Sequence, residues 1–160
     1  MLSNSYDPKP RTVLETSLIA GSTPSFAILA GRELFFSAGL LGFPQAKRYR
    51  LAGFDPGDGS DSPFLMLNSL EQELSFPVIH PDYVSKDYAI PVFPELLGSL
   101  EAKSEQDLAP LLIVTMRERV EEVTVNLQGP LLINVISGLA MQLVLEEYPV
   151  RHPLLLTPRR

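Results

Sequence analysis

Cysteine is absent from all 160 residues, which excludes disulfides, thiol nucleophiles and cysteine-ligated zinc or iron–sulfur centres. A reducing, cytoplasmic compartment is the expectation that follows. Histidine is almost as scarce. His80 and His152 each precede a proline, which favours extended or turn backbone. Neither has a carboxylate or second histidine at the spacing of a triad or a zinc site, and no serine sits in a G-x-S-x-G elbow. Both histidines read as structural or surface residues. Positive charge is in deficit too, with 13 Lys and Arg against 19 Asp and Glu and a net charge of −6. Such a surface repels phosphates and steers toward basic proteins, so direct nucleic-acid binding is not expected. Uninterrupted apolar runs are also missing. "FAILAGRELFFSAGLLGF" carries Arg32 and Glu33 in its interior, where charge is costly in a bilayer. "MLSNSYDPKPRTVLE" scatters Asp7, Lys9, Arg11 and Glu15 where a signal peptide needs a continuous apolar core. A soluble protein without a membrane or targeting segment is expected.

Prolines and short apolar runs are what the chain has in quantity. Fifteen prolines argue against long helices, because each one inside a helix costs about 3 kcal/mol. Many short apolar runs broken by Gly, Pro, Asp and Ser are the pattern of an all-β sandwich or barrel. The expected fold is therefore mainly β, a small antiparallel barrel-like domain with one or two short helical turns. Strands are predicted at 12–20, 25–30, 32–36, 47–53, 63–69, 74–80, 110–116, 121–128, 130–136 and 139–146. Within 93–108, Gly98 and Ser99 make two short turns as reasonable as one helix. The expected organisation is a proline-bearing flexible lead at 1–11, one domain over 12–155, and a tail at 156–160. A chain of this length buries roughly 68–70% of its unfolded surface, so no metal or disulfide is needed to hold it.

Three motifs suggest chemistry and fall short of it. "DPGDGSD" clusters Asp55, Asp58 and Asp61, but an EF-hand needs ligands at alternate positions and a glutamate at the twelfth, where Met66 stands. A polar loop is the simpler reading, and no metal or other cofactor is expected. "GLLGFP" lacks the lysine and the strand–loop–helix setting of a P-loop. It reads as a tight turn. "MRERVEE" at 116–122 mixes charges between two predicted strands, as a solvated hairpin tip or an electrostatic docking loop. The remaining enzymatic reading is a barrel that binds a small ligand or hydrolyses one, using Asp55, Asp58, Asp61 and His80.

The stretch "EEVTVNLQGPLLIN" is the most legible part of the chain. Val123, Val125 and Leu127 alternate with Thr124, Asn126 and Gln128, the period of a strand with one buried face. Gly129-Pro130 interrupts the run, since proline cannot donate to a ladder. Strands at 130–136 and 139–146 follow, so three consecutive antiparallel strands are predicted. Asn126 and Gln128 would share the face opposite the apolar one, either solvated or fastening loop backbone near the corner. Asn134 lies on a strand that is apolar on both sides and is expected to be buried and hydrogen-bonded.

Several segments taken in order resemble the FliW family of bacterial flagellar assembly factors. They are "FFSAGLLGFP", "PFLMLNSLEQELSFPVIHP", "DLAPLLIVTM", "TVNLQGPLLIN" and "AMQLVLEEYPVRHPL". The resemblance spans about residues 12 to 155, and "TVNLQGPLLIN" is its most specific piece. It marks Gly39, Gly42, Phe43, Gly129, Pro130, Asn134 and Gln142 as structural motif positions. It implies a β-barrel-like protein without enzymatic activity that binds CsrA, the dimeric RNA-binding translational regulator, and also flagellin. On that pattern, holding CsrA releases flagellin mRNA from repression, and flagellin competes for the same factor. A flagellin-dedicated chaperone with little effect on CsrA is the alternative within the family. Asn126 and Gln128 are the interface candidates, with Glu33, Glu121 and Glu122 as electrostatic contributors.

Overall fold

Strands that bury one face must either pair at their edges or close into a ring, and this chain does the second. A computed structural model describes residues 12–15, 29–53 and 62–155. The strands described run, in chain order, β1 (Thr12–Glu15), β2 (Glu33–Phe36), β3 (Arg48–Gly53), β4 (Phe64–Ser69), β5 (Ser75–Ile79), β6 (Ala89–Val92), β7 (Leu108–Thr115), β8 (Thr124–Val125), β9 (Leu131–Asn134), β10 (Leu139–Gln142) and β11 (His152–Pro153). A closed seven-stranded barrel takes the order β7-β5-β4-β3-β2-β10-β9, and β9 returns to pair with β7. Its neighbours are antiparallel except β10 and β2, which run parallel with Leu139 opposite Phe35. Outside the barrel, β1 pairs with β6 in a separate two-stranded sheet, and β8 lies between β7 and β11.

Two apolar layers follow from the alternation of side chains along these strands. Inside the barrel, Leu34, Phe36, Tyr49, Leu51, Leu67, Val78, Leu111, Leu131 and Ile133 are fully buried. Phe36 meets Tyr49 edge to face at 5.4 Å. Outside it, Leu108, Leu112 and Val114 of β7 and Leu132 of β9 pack against a second layer. That layer is built from Tyr88, Ile90 and Val92 around β6, from Leu96 and Leu100 around a short helix at Pro94–Ser99, and from Val125, Leu145 and Leu154. Strands β7 and β9 are thus buried on both faces, which is why they read as continuous apolar runs. Strands β2 and β3 alternate strictly, with Leu34, Phe36, Tyr49 and Leu51 inward and Glu33, Phe35, Arg48 and Arg50 outward.

Several sequence expectations need correction. The strand predicted at 121–128 is only Thr124–Val125, and its partners are β7 and β11. The three consecutive antiparallel strands are therefore not formed, because β9 pairs with β7 and β10. Burial still alternates through Leu127, but the N–H groups of Leu127 and Gln128 go to the Pro149 carbonyl and leave no ladder. The strand predicted at 139–146 stops at Gln142. Of that predicted at 25–30, Leu29 and Ala30 are helix end and turn, and the remainder lies outside the described residues. Of that predicted at 12–20, residues 12–15 are strand and the rest lies outside them as well. The 93–108 segment resolves into the helix Pro94–Ser99 and a 3-10 turn, Glu105–Asp107. Strand β6 was not predicted, because Pro91 stands in its centre.

Candidate functional site

Corners made by glycine and proline expose backbone groups that side-chain amides then satisfy. At Asn126 the side chain folds back on its own turn, and Oδ1 accepts the N–H groups of Gln128 at 3.0 Å and Gly129 at 2.9 Å. Gln128 Nε2 donates to the Tyr148 carbonyl at 3.3 Å. Tyr148 in turn packs at 4.6 Å, tilted, on Tyr88, whose buried hydroxyl donates to the Leu127 carbonyl at 2.7 Å. Sequence reasoning passed over Tyr88, and the only signal toward this pair was Tyr148 within the closing motif. Asn126 and Gln128 are both half-buried and both engaged with backbone.

Gln142 ties distant motif positions to this corner. Its Oε1 accepts from the Leu41 N–H at 2.8 Å and its Nε2 donates to the Gly129 carbonyl at 3.0 Å. A Cβ on Gly129 would come within 2.7 Å of Gln142 Nε2, so a side chain there would push the amide of Gln142 out of place. Gly39 needs glycine twice over. Its φ is +67°, and an added Cβ would lie 2.5 Å from the Phe43 carbonyl oxygen. Gly42 also has positive φ, and Phe43 packs edge to face on Phe76 at 5.4 Å. Pro130 is buried, and its carbonyl accepts from Leu143. The structure therefore joins Gly39–Phe43, Gly129, Pro130 and Gln142 in one network. A cleft of about 240 Å³ lies beside it, and none of its lining side chains titrates.

Asn134 belongs to a different junction. Its Nδ2 donates to the Leu100 carbonyl at 2.8 Å, and its Oδ1 accepts from Ile136 and Ser137 at 2.9 and 3.2 Å. It ties the barrel to the end of the outer helix and also shapes the turn before β10. His80 is equally enclosed. Its Nδ1 accepts from the Asp82 N–H at 3.0 Å, capping the 3-10 turn Pro81–Tyr83. Burial lowers its pKa to about 4, against a smaller opposing pull from Asp82, so the imidazole is neutral at pH 7. Asp55, Asp58 and Asp61 lie outside the described residues, and among those described no group of acids and histidines is arranged to hold a metal ion. Nor is any helix among them long and apolar enough to cross a membrane.

The acids predicted to contribute are exposed and fall into two places. Glu121 and Glu122 sit on the tip between β7 and β8, with Arg119 paired to Glu121 at 3.0 Å. This tip also raises Val120 to 77% exposure, and Met116, Arg117 and Glu118 before it are exposed as well. Glu33 is on the barrel wall, where it accepts from Arg48 at 2.8 Å and Arg50 at 3.5 Å. Exposed pairs of this kind are worth about 0–1 kcal/mol, so neither place is explained by stability.

Known proteins carry the same architecture. A family model described as FliW protein matches residues 25–154. A flagellar assembly factor FliW of Clostridioides difficile is 37% identical over 126 residues, covering 77% of this chain and 94% of that protein. A second, from Natranaerobius thermophilus, is 37% identical over 140 residues, covering 83% and 90%. A crystal structure of the flagellar assembly factor FliW superposes with a TM-score of 0.67 at 30% identity, over 76% of this chain and 84% of that one.

Proposed function

The chain belongs to the FliW family of flagellar assembly factors, and from that premise we propose that it binds and antagonises the translational regulator CsrA and exchanges it for flagellin in the cytoplasm. It works by binding, without catalysis or a cofactor, and residues 12–155 act as one unit. The observation that carries this reading is the tip between β7 and β8. An exposed Val120 stands there among Glu118, Glu121 and Glu122, with Arg117 and the Glu121-paired Arg119 as the opposing charges. An apolar contact on a tip where carboxylates outnumber guanidiniums three to two suits a partner that is basic because it binds RNA, and charge of that sign raises the rate of encounter. Glu121 and Glu122 lead the contact with CsrA. Asn126 and Gln128 follow the tip in the chain and hold the corner that orients it. If CsrA and flagellin cannot both be held, each weakens the other by the same factor.

Titration calorimetry with CsrA from the same organism tests the reading, repeated after saturation with flagellin. Submicromolar binding that is lost with flagellin supports it. The double variant Glu121→Lys/Glu122→Lys is expected to weaken CsrA by roughly tenfold or more, mainly through slower association and with a smaller salt dependence. Flagellin binding with no response to CsrA favours a dedicated chaperone. Silence toward both proteins rejects the partner assignment.

A further inference from the structure

On the barrel wall opposite in character to the acidic tip, the outward residues of β2 and β3 form a face of the other sign. Phe35 points outward from β2 and is 42% exposed, although its neighbours Leu34 and Phe36 are wholly buried. It lies opposite the half-buried Leu139 in the parallel pair with β10, and its N–H donates to the Gly138 carbonyl at 2.9 Å. Ile136, on the turn that Gly138 ends, is 67% exposed. A single exposed apolar side chain is ordinary, whereas here the Phe35–Gly138 bond sets an exposed aromatic strand residue beside the turn that carries the exposed Ile136.

Arginine rims that surface. Arg48 and Arg50 share the carboxylate of Glu33, and Glu71, which accepts from the backbone N–H groups of Lys47 and Arg48, is the other carboxylate close by. Arg32 directs its guanidinium at the carbonyls of Val135 and Ile136, with no carboxylate partner among the described residues. Three guanidiniums against the carboxylates of Glu33 and Glu71 still leave this face positive on a protein whose net charge is −6. Because Arg32 is held by carbonyl oxygens, its charge is positioned without being neutralised. Planar guanidinium groups beside an aromatic anchor are a combination enriched at protein interfaces.

We infer that the Phe35–Ile136 face is a docking surface for an apolar segment flanked by carboxylates, supplied by flagellin and not by CsrA. The assignment deepens the partner reading above and rests on it. A protein that is basic because it binds RNA is repelled by three arginines, and the same arginines attract carboxylates beside an apolar anchor. The two partners thus meet faces of opposite charge, and their mutual exclusion does not require one shared patch.

The test is calorimetry of flagellin and CsrA, separately, against the full chain and the double variant Phe35→Ser/Arg48→Glu. A companion, Arg50→Glu, leaves the apolar pair in place and guards against a folding defect, with thermal melts run on all three proteins. Flagellin affinity is expected to fall at least about tenfold in the double variant, while CsrA affinity stays within about twofold. Arg50→Glu should lower flagellin affinity less and reduce its salt dependence. Unchanged flagellin binding by a folded double variant, with the wild type binding both partners, overturns the docking face and leaves the partner reading standing. Equal weakening of both partners, or loss of CsrA alone, overturns the assignment by charge. A wild-type chain that binds neither partner overturns the partner reading, and the inference falls with it.

Discussion

The two outer walls of one barrel are built from the same kind of strand and treated in opposite ways. On β7 and β9 the outward residues Leu108, Leu112, Val114 and Leu132 are roofed by β6, the short helix, β8 and the last turns of the chain. On β2 and β3 the outward residues Glu33, Phe35, Arg48 and Arg50 are exposed, with no such layer over them among the described residues. Closing a barrel already satisfies the strand edges, so a second layer is not needed to remove them. What the roof adds is buried apolar area and a fixed set of loops. The open wall contributes little stability beyond the barrel interior, which leaves its residues free to be chosen for contact with another molecule.

The largest expected effect separates these walls directly. Leu132→Ala on the roofed wall is expected to cost about 2–5 kcal/mol, through lost transfer energy and a cavity between the two layers. Phe35→Ala on the open wall is expected to change stability by no more than about 0.5 kcal/mol. Urea denaturation of both variants measures the difference. A cost at Phe35 comparable to that at Leu132 would mean the open wall is packed as a core, and the comparison would collapse.

Acid should sharpen the same contrast. His80 follows β5 and is 1% exposed, with a pKa lowered from 6.5 to about 4 by burial. The unfolded chain takes up its proton near pH 6.5, whereas the folded chain resists until about pH 4. Stability from this residue is therefore complete above pH 6.5, falls as pH drops toward 4, and is gone below that. A shift of this size corresponds to about 3 kcal/mol. Denaturant midpoints recorded from pH 7.5 to 4 should fall for the native chain and fall less for His80→Gln. Parallel curves for the two proteins would remove His80 as the cause. The open wall presents no histidine, so Phe35→Ala should follow the native curve.

The roofed and open walls also differ in how much of them the sequence discloses. Strict alternation in "ELFF" and "RYRL" identifies β2 and β3 and tells which residues face out. Runs such as "LAPLLIVT" and "LLIN" announce strands buried on both faces, but hydrophobicity alone does not say what covers them. Part of the cover was missed because Pro91 disguises β6. Another part was over-read, because Val123, Val125 and Leu127 keep a strand's period while their segment bonds to Pro149. Period reports which side is buried, and only the hydrogen-bond partner decides whether a strand exists. The candidate residues show the same limit. Gln142 is visible as a motif position, yet its bond to Leu41 joins residues 101 apart in sequence. The arginine rim is invisible in composition, since thirteen basic residues in an acidic chain give no hint that Arg32, Arg48 and Arg50 share one wall.

The smallest expected effect separates the two asparagines, of which the sequence marks Asn134 as structural and Asn126 as an interface candidate. Asn134 lies under the roof and connects two layers, donating to Leu100 while accepting from Ile136 and Ser137. Asn126 is half-buried, and its bonds reach only the next turn of its own corner. Removing a turn-capping side chain of the second kind costs about 1 kcal/mol, because water can reach part of what is left unpaired. At Asn134 the Leu100 carbonyl and two N–H groups lose their partner within a largely buried junction, so Asn134→Ala should cost more, about 2–3 kcal/mol. Thermal melts rank the two substitutions, and calorimetry with CsrA then asks whether Asn126→Ala weakens binding beyond its effect on stability. Binding that survives Asn126→Ala and is lost in Glu121→Lys/Glu122→Lys would place recognition in the acidic tip and leave the amide as its support. The reverse result would return the interface to the Gly-Pro corner, with the carboxylates serving only to bring the partner near.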